Sequence, residues 1–261
     1  MTENSPYRLA VLTRRWTWTG EYVLRELARR GVRPSLVLVE NTPMRARIAM
    51  ARRLARRIGW TDAVRYNANF WWPLFKRATG FHRTPRFPYE RFADRVVEAS
   101  DINAPAMARA MAEEKVDRVL LAQSGIVRQP ILDLDGIWII NAHPGLLPRM
   151  RGVDVIRWSI LEDVALGITV HVVDNGVDTG PILGQETVVP MAAEPFADFD
   201  RRLNERAAEL LVEFGLAGPG AFPAPKQQSR EDGRQYYMMP RNLAAAAKRK
   251  FDLLTMPDLN G

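Results

Sequence analysis

Short, continuous runs of apolar residues alternate along this chain with segments whose apolar residues recur at helical spacing. Residues 7–13 and 34–40 are two such runs, and residues 20–30 lie between them with apolar side chains three and four positions apart. A run without polar alternation indicates a strand that is covered on both faces, as in a parallel sheet. Strand, helix and strand in this order predict a right-handed βαβ unit. The start of the chain is therefore restricted to an α/β fold.

The same alternation continues to about residue 190. Further helices are predicted over residues 44–58, 102–115 and 156–161 and in a short stretch near Pro130, and further strands over residues 116–122, 136–141 and 167–173. This order predicts a mostly parallel sheet with helices on both faces. Beyond it, residues 196–216 predict a helix, and residues 226–239 predict a hairpin that turns at Asp232 and Gly233. We expect one domain over residues 1–190 and a small extension of helix and β-hairpin over residues 191–261.

Composition excludes several classes of protein. Of the 261 residues, 47% are hydrophobic and 26% are charged, which is typical of a globular chain. The absence of cysteine excludes a disulfide scaffold, a thiolate metal site and a cysteine nucleophile, and the only histidines are His82, His143 and His171. We expect no bound metal. No apolar run reaches the roughly 18 residues of a membrane span, and the first residues lack a signal-peptide pattern, so we expect a cytoplasmic protein.

Polar side chains follow two of the predicted strands at the point where each strand ends. Asn141 and His143 stand at the end of the strand over residues 136–141, and Asp178 follows the strand over residues 167–173. Because ligands of open α/β sheets bind beyond the carboxyl ends of strands, we expect these side chains to share a site. An amide donor, an imidazole and a carboxylate can support acyl transfer. Taken alone, Asn-x-His-Pro also fits a tight turn capped by a hydrogen-bonded histidine.

Three motifs in this order resemble the formyltransferase family that uses 10-formyltetrahydrofolate. They are Asn-x-His-Pro-x-Leu-Leu-Pro-x-x-x-Gly over residues 141–152, Gly-x-Thr-Val-His over residues 167–171, and Asp-x-Gly-Pro-Ile over residues 178–182. The resemblance covers residues 100–190 and implies the Rossmann-like formyltransferase fold, with the catalytic domain over residues 1–190. It departs from the family pattern at Gly145, where serine is usual.

The resemblance implies a role for each matched residue. Asn141 would donate to the formyl oxygen as that oxygen becomes an oxyanion, and His143 would polarise the same oxygen and assist proton movement. Asp178 would orient His143 and help to carry the amine proton away. The pterin ring of the folate would lie between two backbone-rich segments, which are here Ser124, Gly125, Ile126 and Val127 and, in the second, Val173, Asp174, Asn175, Gly176 and Val177. His171 lies inside a predicted strand and is interpreted as structural.

Members of this family formylate different amines, and features missing here favour an amino sugar linked to a nucleotide. Glycinamide ribonucleotide formyltransferases carry a glycine-rich phosphate loop after the first strand, where this chain reads Thr-Arg-Arg-Trp-Thr-Trp-Thr over residues 13–19. Methionyl-tRNA formyltransferases carry a further carboxyl-terminal barrel, and formyltetrahydrofolate hydrolases carry an amino-terminal regulatory domain. We expect neither here, and Arg149 and Arg151 are the candidate contacts to the acceptor.

Two other classes of function are compatible with part of the sequence. The net charge of +7 and the arginine-rich helix over residues 44–58 would also suit a protein that binds nucleic acid or a membrane surface. We expect no nucleic-acid partner, because no helix-turn-helix, RNA-recognition or zinc-finger pattern is present. A nucleotide-dependent oxidoreductase would need Gly-x-Gly-x-x-Gly after the first strand, and that motif is absent. Assembly into a homodimer is left open.

Overall fold

The structure is a computed structural model that describes residues 7–60, 87–217, 221, 224–229 and 231–257. The chain forms two compact units, one of Met1–Asn41 with Tyr89–Gly261 and the other of Thr42–Pro88. The aromatic and proline-rich segments over residues 69–75 and 83–88, predicted as an irregular insert, lie outside the described residues except for residues 87 and 88. The domain boundary expected at residue 190 stays a prediction.

A seven-stranded sheet forms the centre of the larger unit. Its strands are β1 (Leu9–Arg14), β2 (Leu36–Glu40), β3 (Arg95–Ala99), β4 (Arg118–Ala122), β5 (Trp138–His143), β7 (Gly167–Val172) and β8 (Ile182–Thr187). Their order across the sheet is β3-β2-β1-β4-β5-β7-β8. The first five strands in this order are parallel, and β7 and β8 are antiparallel to their neighbours. The prediction of a mostly parallel sheet is therefore confirmed.

Six helices are present in the described part of the chain: α1 (Trp18–Arg29), α2 (Met44–Ile58), α3 (Pro105–Glu113), α4 (Val155–Leu161), α5 (Phe196–Leu216) and α6 (Arg241–Leu254). Two neighbouring residues of β4 show that helices cover both faces of the sheet. Val119 belongs to the same buried cluster as Met107 and Met111 of α3. Leu120 instead approaches Gly215 of α5 so closely that a Cβ on this glycine would lie 2.5 Å from Leu120 Cδ2. Successive side chains of a strand point to opposite faces, so α3 and α5 lie on opposite sides.

The carboxyl-terminal part differs from the prediction. No hairpin forms among the residues of 226–239 that the structure describes; instead β9 (Arg234–Tyr236) pairs in parallel with β6 (Met150–Gly152) as a separate two-stranded sheet. The turn signal at Gly233 has another cause, because a Cβ there would lie 1.6 Å from the Pro148 carbonyl oxygen. The glycine permits a close approach of two backbones rather than a hairpin turn.

Other elements also differ from the sequence expectations. The predicted helical stretch near Pro130 consists of turns, with isolated bonds such as that from the Ile131 amide to the Arg128 carbonyl at 3.0 Å rather than a continuous helical series. Strands β3 and β8 and helix α6 were not predicted. Within the described ranges, no helix is both long enough and apolar enough to cross a membrane.

Candidate active site

Asn141 and His143 lie inside β5, because this strand continues two residues further than predicted. Asn141 is paired with His171 of β7, and His143 is paired with Thr169 of the same strand. Asn141 and His143 stand two positions apart in a strand, so their side chains leave the sheet on the same face. The antiparallel ladder between β5 and β7 therefore fixes the backbone beneath both candidate groups, and it brings a second histidine beside them.

Asp178 places its carboxylate between the two histidines. Its Oδ2 atom lies 3.5 Å from His143 Nδ1, and its Oδ1 atom lies 3.6 Å from His171 Nε2. The Gly152 amide donates a hydrogen bond of 2.9 Å to Oδ2. Asp178 itself has a φ of 53°, a left-handed conformation that is uncommon for a residue with a side chain and that recurs at functional sites. The structure thus brings together residues that are distant in sequence.

The environment of this cluster decides which groups carry charge. Burial raises the pKa of Asp178, but His143, His171 and the Gly152 amide favour the ionised carboxylate more strongly and lower its pKa to about 2. Burial lowers the pKa of His143 below its ordinary range, and the attraction of Asp178 opposes this shift only in part. At neutral pH the site therefore contains an ionised carboxylate beside a neutral His143 imidazole.

The hydrogen bonds of His143 fix the position of its proton. Its Nε2 atom lies 2.7 Å from the Met150 carbonyl oxygen, which can only accept, so Nε2 carries the hydrogen. Nδ1 is then the unprotonated nitrogen and faces Asp178, and a proton taken up at Nδ1 would be stabilised by the carboxylate. Gly145 lies close to this bond, because a Cβ there would come within 3.0 Å of both His143 Nε2 and the Met150 oxygen.

His171 has a larger part in this site than the sequence interpretation gave it. Its Nδ1 atom lies 2.9 Å from the Val172 carbonyl oxygen and must therefore be the donor. In the neutral imidazole, the Nε2 atom then accepts a hydrogen bond of 3.1 Å from Asn141 Nδ2. This bond orients the Asn141 amide and uses one of its two N–H groups. The family pattern contained His171, but its contact with Asn141 depends on the antiparallel pairing of β5 and β7, which the sequence did not predict.

The second predicted folate segment borders a cavity of about 310 Å³. The cavity is lined by Arg151, Asn175, Gly176, Val177, Thr179 and Gln235. Asp174 does not line it, because its Oδ1 atom accepts from the Gly176 amide at 3.0 Å and the Thr179 hydroxyl at 2.6 Å, which closes the loop on itself. Val173 packs against the buried cluster beside α3. The volume lies at the lower end of the range for small-ligand pockets.

The first predicted folate segment is fixed by neighbouring side chains and does not line this cavity. The Gly125 amide donates to Glu40 at 3.2 Å, and the Ile126 carbonyl accepts from Asn103 at 3.0 Å. The side chain of Ile126 is exposed, whereas Val127 is buried in the core. The Ser124 hydroxyl donates to the Gly125 carbonyl at 3.1 Å.

The two arginines expected to contact the acceptor have different surroundings. Arg151 is buried at the wall of the cavity, and its Nη2 atom donates to the Gly233 carbonyl at 2.7 Å. Arg149 is exposed and does not line the cavity, although its carbonyl accepts from the Arg234 amide at 3.2 Å. Arg151 is therefore the one that the structure brings to a ligand-sized space.

The pairing of β6 with β9 supports the Asp178 site, and substitution of Gly152 tests this. Gly152 has a φ of 102°, and a Cβ there would lie 2.1 Å from the Tyr236 carbonyl oxygen. We expect Gly152→Ala to lower the free energy of unfolding by about 3 kcal/mol, from backbone strain and overpacking together. Denaturant unfolding measures the change.

Gly136 provides a matched control for this substitution. It also has a positive φ, of 74°, but a Cβ there would meet no atom of the described residues within 4 Å. Gly136→Ala is therefore expected to lose only about 1–2 kcal/mol, from backbone strain alone. Equal losses for the two variants would show that the contact between β6 and β9 contributes nothing.

Comparisons with known proteins agree with this architecture. The family described as Formyl transferase matches residues 76–214, more than half of the chain. A methionyl-tRNA formyltransferase from Syntrophus aciditrophicus (strain SB) is 34% identical over 119 residues, which cover 45% of this chain and 38% of that protein. A second one, from Desulfotalea psychrophila, is 31% identical over 120 residues and is covered over 37% of its length. The chain thus spans less than two fifths of these relatives' length.

Solved structures extend the similarity over more of the fold. The phosphoribosylglycinamide formyltransferase from Bacillus halodurans aligns with a TM-score of 0.51 at 20% identity, covering 79% of this chain and 94% of that one. A sugar N-formyltransferase from a Shewanella species aligns with a TM-score of 0.52 at 13% identity, covering 97% of this chain and 90% of that one. At such identities the likeness shows the fold alone, and it confirms the predicted Rossmann-like formyltransferase fold.

Proposed function

The chain belongs to the formyl transferase family, and on that premise we propose that it transfers the formyl group of 10-formyltetrahydrofolate to the amine of a small acceptor. The observation that carries this proposal is the cluster in which Asp178 lies 3.5 Å from His143 and 3.6 Å from His171, with Asn141 hydrogen-bonded to His171. An oriented amide, a neutral imidazole and a carboxylate within one cluster are what transfer of an acyl group to an amine requires.

Each side chain of the cluster has a task that its hydrogen bonds support. Asn141 donates its second N–H group to the formyl oxygen as negative charge develops there, while the first stays on His171. His143 accepts the proton of the attacking amine at Nδ1, and Asp178 stabilises the imidazolium that results. The proton then passes to the nitrogen that releases the formyl group, so the overall charge balances. Polarisation of the formyl oxygen by His143 Nε2 would require this atom to release the Met150 carbonyl.

The loop beside the cavity supports donor binding. Asn175, Gly176 and Val177 line a space of about 310 Å³, and the Asp174 carboxylate accepts hydrogen bonds from the Gly176 amide and the Thr179 hydroxyl of the same loop. Backbone donors and acceptors suit a flat pterin ring with several polar edge atoms. The donor, when bound, supplies the formyl carbon, and the chain supplies its orientation and the proton path.

For the acceptor we propose an amino sugar linked to a nucleotide. The alignment with the sugar N-formyltransferase from Shewanella covers 97% of this chain and 90% of that one, whereas the match to the methionyl-tRNA formyltransferase from Syntrophus covers 45% of this chain and 38% of that protein. Arg151 at the cavity wall is a fixed cation that can meet a phosphate of the nucleotide. The alternative acceptors are glycinamide ribonucleotide, methionyl-tRNA and water, the last of which would make the protein a hydrolase.

A release assay for tetrahydrofolate separates these acceptors. The protein is incubated with 10-formyltetrahydrofolate and, in turn, amino-sugar nucleotides, glycinamide ribonucleotide, methionyl-tRNA or no acceptor. We expect release only with an amino-sugar nucleotide. Release without an acceptor would identify a hydrolase, and no release in any arm would contradict formyl transfer itself.

The rate should depend on pH through the groups that must be neutral. The acceptor amine attacks only as the free base, and His143 accepts a proton only when it is neutral, so kcat/KM should fall toward acid pH. Burial lowers the pKa of His143, so its contribution to this fall should lie below its ordinary value of roughly 6.5. A profile of kcat/KM from pH 5 to 9 checks this, and a flat profile would contradict it.

A further inference from the structure

The carboxyl ends of β1 and β4 meet where the order of strands reverses. The chain passes from β1 to β2 and β3 on one side of the sheet and then returns to β4 on the other side of β1. In open α/β sheets, ligands bind in the crevice at such a reversal. Here Trp16 lies in the loop after β1, Trp18 and Thr19 begin α1, and Gln123 directly follows β4. We call these four residues the tryptophan edge.

Two residues of the tryptophan edge have a strained backbone conformation that the surrounding structure must stabilise. Trp16 has a φ of 70° and Gln123 has a φ of 56°, so both flanks of the reversal contain a left-handed residue with a side chain. This conformation is rare for a bulky residue, and it clusters at sites that bind ligands. Trp16 is 46% exposed and Trp18 is 45% exposed. The strained loop thus keeps two large aromatic rings outside the core.

Hydrogen bonds and close packing make this loop a preformed surface. The Thr17 hydroxyl donates to the Arg14 carbonyl at 2.7 Å, and the Arg15 amide donates to the Glu40 carbonyl at 2.8 Å. Gly20 in the first turn of α1 lies against β1, because a Cβ there would come within 2.0 Å of the Thr13 hydroxyl oxygen. A ligand therefore meets rings whose backbone is already fixed, which reduces the entropy lost on binding.

A polar group beside the rings indicates the chemistry of the ligand. The Thr19 hydroxyl donates to Gln123 Oε1 at 2.7 Å, which orients this amide and leaves its Nε2 hydrogens for an acceptor on a ligand. The nearby carboxylate of Glu40 is paired with Arg14 Nε at 3.0 Å, so it does not repel an electron-rich ring. Aromatic faces together with an amide donor are the combination that recognises nucleobases by stacking and by an edge hydrogen bond.

We propose that the tryptophan edge binds the nucleobase of the acceptor, a planar heteroaromatic ring with a carbonyl oxygen. Trp16 and Trp18 provide the stacking faces, and Gln123 Nε2 donates to the ring carbonyl. The claim that this ring belongs to the acceptor rests on the proposed function. The claim that the tryptophan edge binds a nucleotide does not. The pterin of the folate is the other heteroaromatic ring in that reaction, and the experiment separates the two.

Calorimetric titration of the full chain with single ligands tests this. The probes are uridine diphosphate, thymidine diphosphate, guanosine diphosphate and 5-formyltetrahydrofolate, each without a second substrate. The principal variant is Trp16→Gly, because glycine adopts a φ of 70° without strain, so the fold should be at least as stable while the ring is lost. Trp18→Ala removes the second ring. Trp138→Ala is the matched control, because Trp138 is also 45% exposed but begins β5 at the opposite edge of the sheet.

We expect at least one nucleotide to bind the wild-type protein, and we expect Trp16→Gly to weaken that binding about tenfold or more. Trp138→Ala should bind the nucleotide as tightly as the wild-type protein does. The affinity for 5-formyltetrahydrofolate should be the same in wild type and in Trp16→Gly. The proposal is overturned if no nucleotide binds, if Trp16→Gly leaves nucleotide affinity unaltered, or if only the folate affinity falls. The wild-type protein could bind a nucleotide, lose that binding in Trp16→Gly, and yet transfer no formyl group in the release assay. That outcome would contradict the proposed function and support this site. If the protein formylates a nucleotide sugar and Trp16→Gly has no effect, the proposed function stands and the nucleobase site does not.

Discussion

Replacement of Asp178 by asparagine is expected to lower kcat/KM about 10³-fold, as in other enzymes in which a carboxylate supports a histidine base. The negative charge beside His143 Nδ1 disappears, so a proton taken up there is no longer stabilised. Asparagine keeps the shape of the side chain, can still accept from the Gly152 amide, and tolerates the left-handed conformation at φ 53°. The loss should therefore appear in the rate and not in the amount of folded protein.

Steady-state kinetics in the tetrahydrofolate-release assay measures this loss. Asp252→Asn is the control, because among the described residues the Asp252 carboxylate pairs only with Lys248, on the surface of α6, and the kinetics of this variant should stay within twofold of wild type. In the double variant His143→Asn with Asp178→Asn, the two losses should not add, since the groups act as a unit. An Asp178→Asn variant that retains more than a third of the wild-type kcat/KM would contradict the role of the carboxylate.

The same substitution changes how stability depends on pH. Because the folded-state pKa of Asp178 is lowered to about 2, its ionised form stabilises the fold above the unfolded pKa, and this contribution is lost as the pH falls toward 2. We expect the difference in unfolding free energy between wild type and Asp178→Asn to shrink as the pH falls below about 4. Denaturant unfolding at pH 7 and at pH 3 measures the difference.

Replacement of Asn141 by alanine is expected to lower kcat by about 10²–10³-fold, which is typical for the loss of one oxyanion donor. Asn141 Nδ2 donates one hydrogen to His171, and alanine removes both that bond and the donor aimed at the formyl oxygen. The buried acceptor of His171 then lacks its partner, which should also lower the free energy of unfolding by about 1–3 kcal/mol.

Two further variants separate catalysis from stability for Asn141. Asn141→Gln keeps an amide but displaces it by one methylene, so it should also lose activity, because small displacements at the reacting group are costly. Asn204→Ala removes a side-chain amide of α5 that donates within its own helix to the Asp200 carbonyl, and the kcat of this variant should be unchanged. A kcat for Asn141→Ala within threefold of wild type would refute the assignment of Asn141 as the donor.

The elements that the sequence predicted well are those with the strongest burial pattern. Helices α2 and α5 have the predicted bounds, and the inner strands β1, β2 and β4 lie within one or two residues of theirs at most ends. These strands are covered on both faces, so their apolar runs are continuous. The edge strand β3 contains Arg95 and Glu98 and is only partly covered. It therefore lacks a continuous apolar run, and the sequence did not predict this strand.

Three residues of the candidate site were predictable from the sequence, but their contacts and the part of His171 were not. The position of Asn141, His143 and Asp178 after strands was visible in the sequence, and the structure places His143 beside Asp178. The bond of His143 to Met150 depends on how the turn over residues 144–149 folds back. The bond of Asn141 to His171 depends on the register between two antiparallel strands, which no local pattern encodes.

The pairing of β6 with β9 affects the order in which the protein can become active during its synthesis. Gly152 of β6 supplies an amide to Asp178, and its own partner in the ladder is Tyr236, which the ribosome adds more than eighty residues later. Most of the main sheet can assemble during translation, since the strands β1 to β8 all precede residue 188. The Asp178 carboxylate reaches its final hydrogen-bonded position only after β9 has left the exit tunnel and paired with β6. A nascent chain that stops before residue 234 would thus carry a largely folded sheet around an unfinished reaction centre.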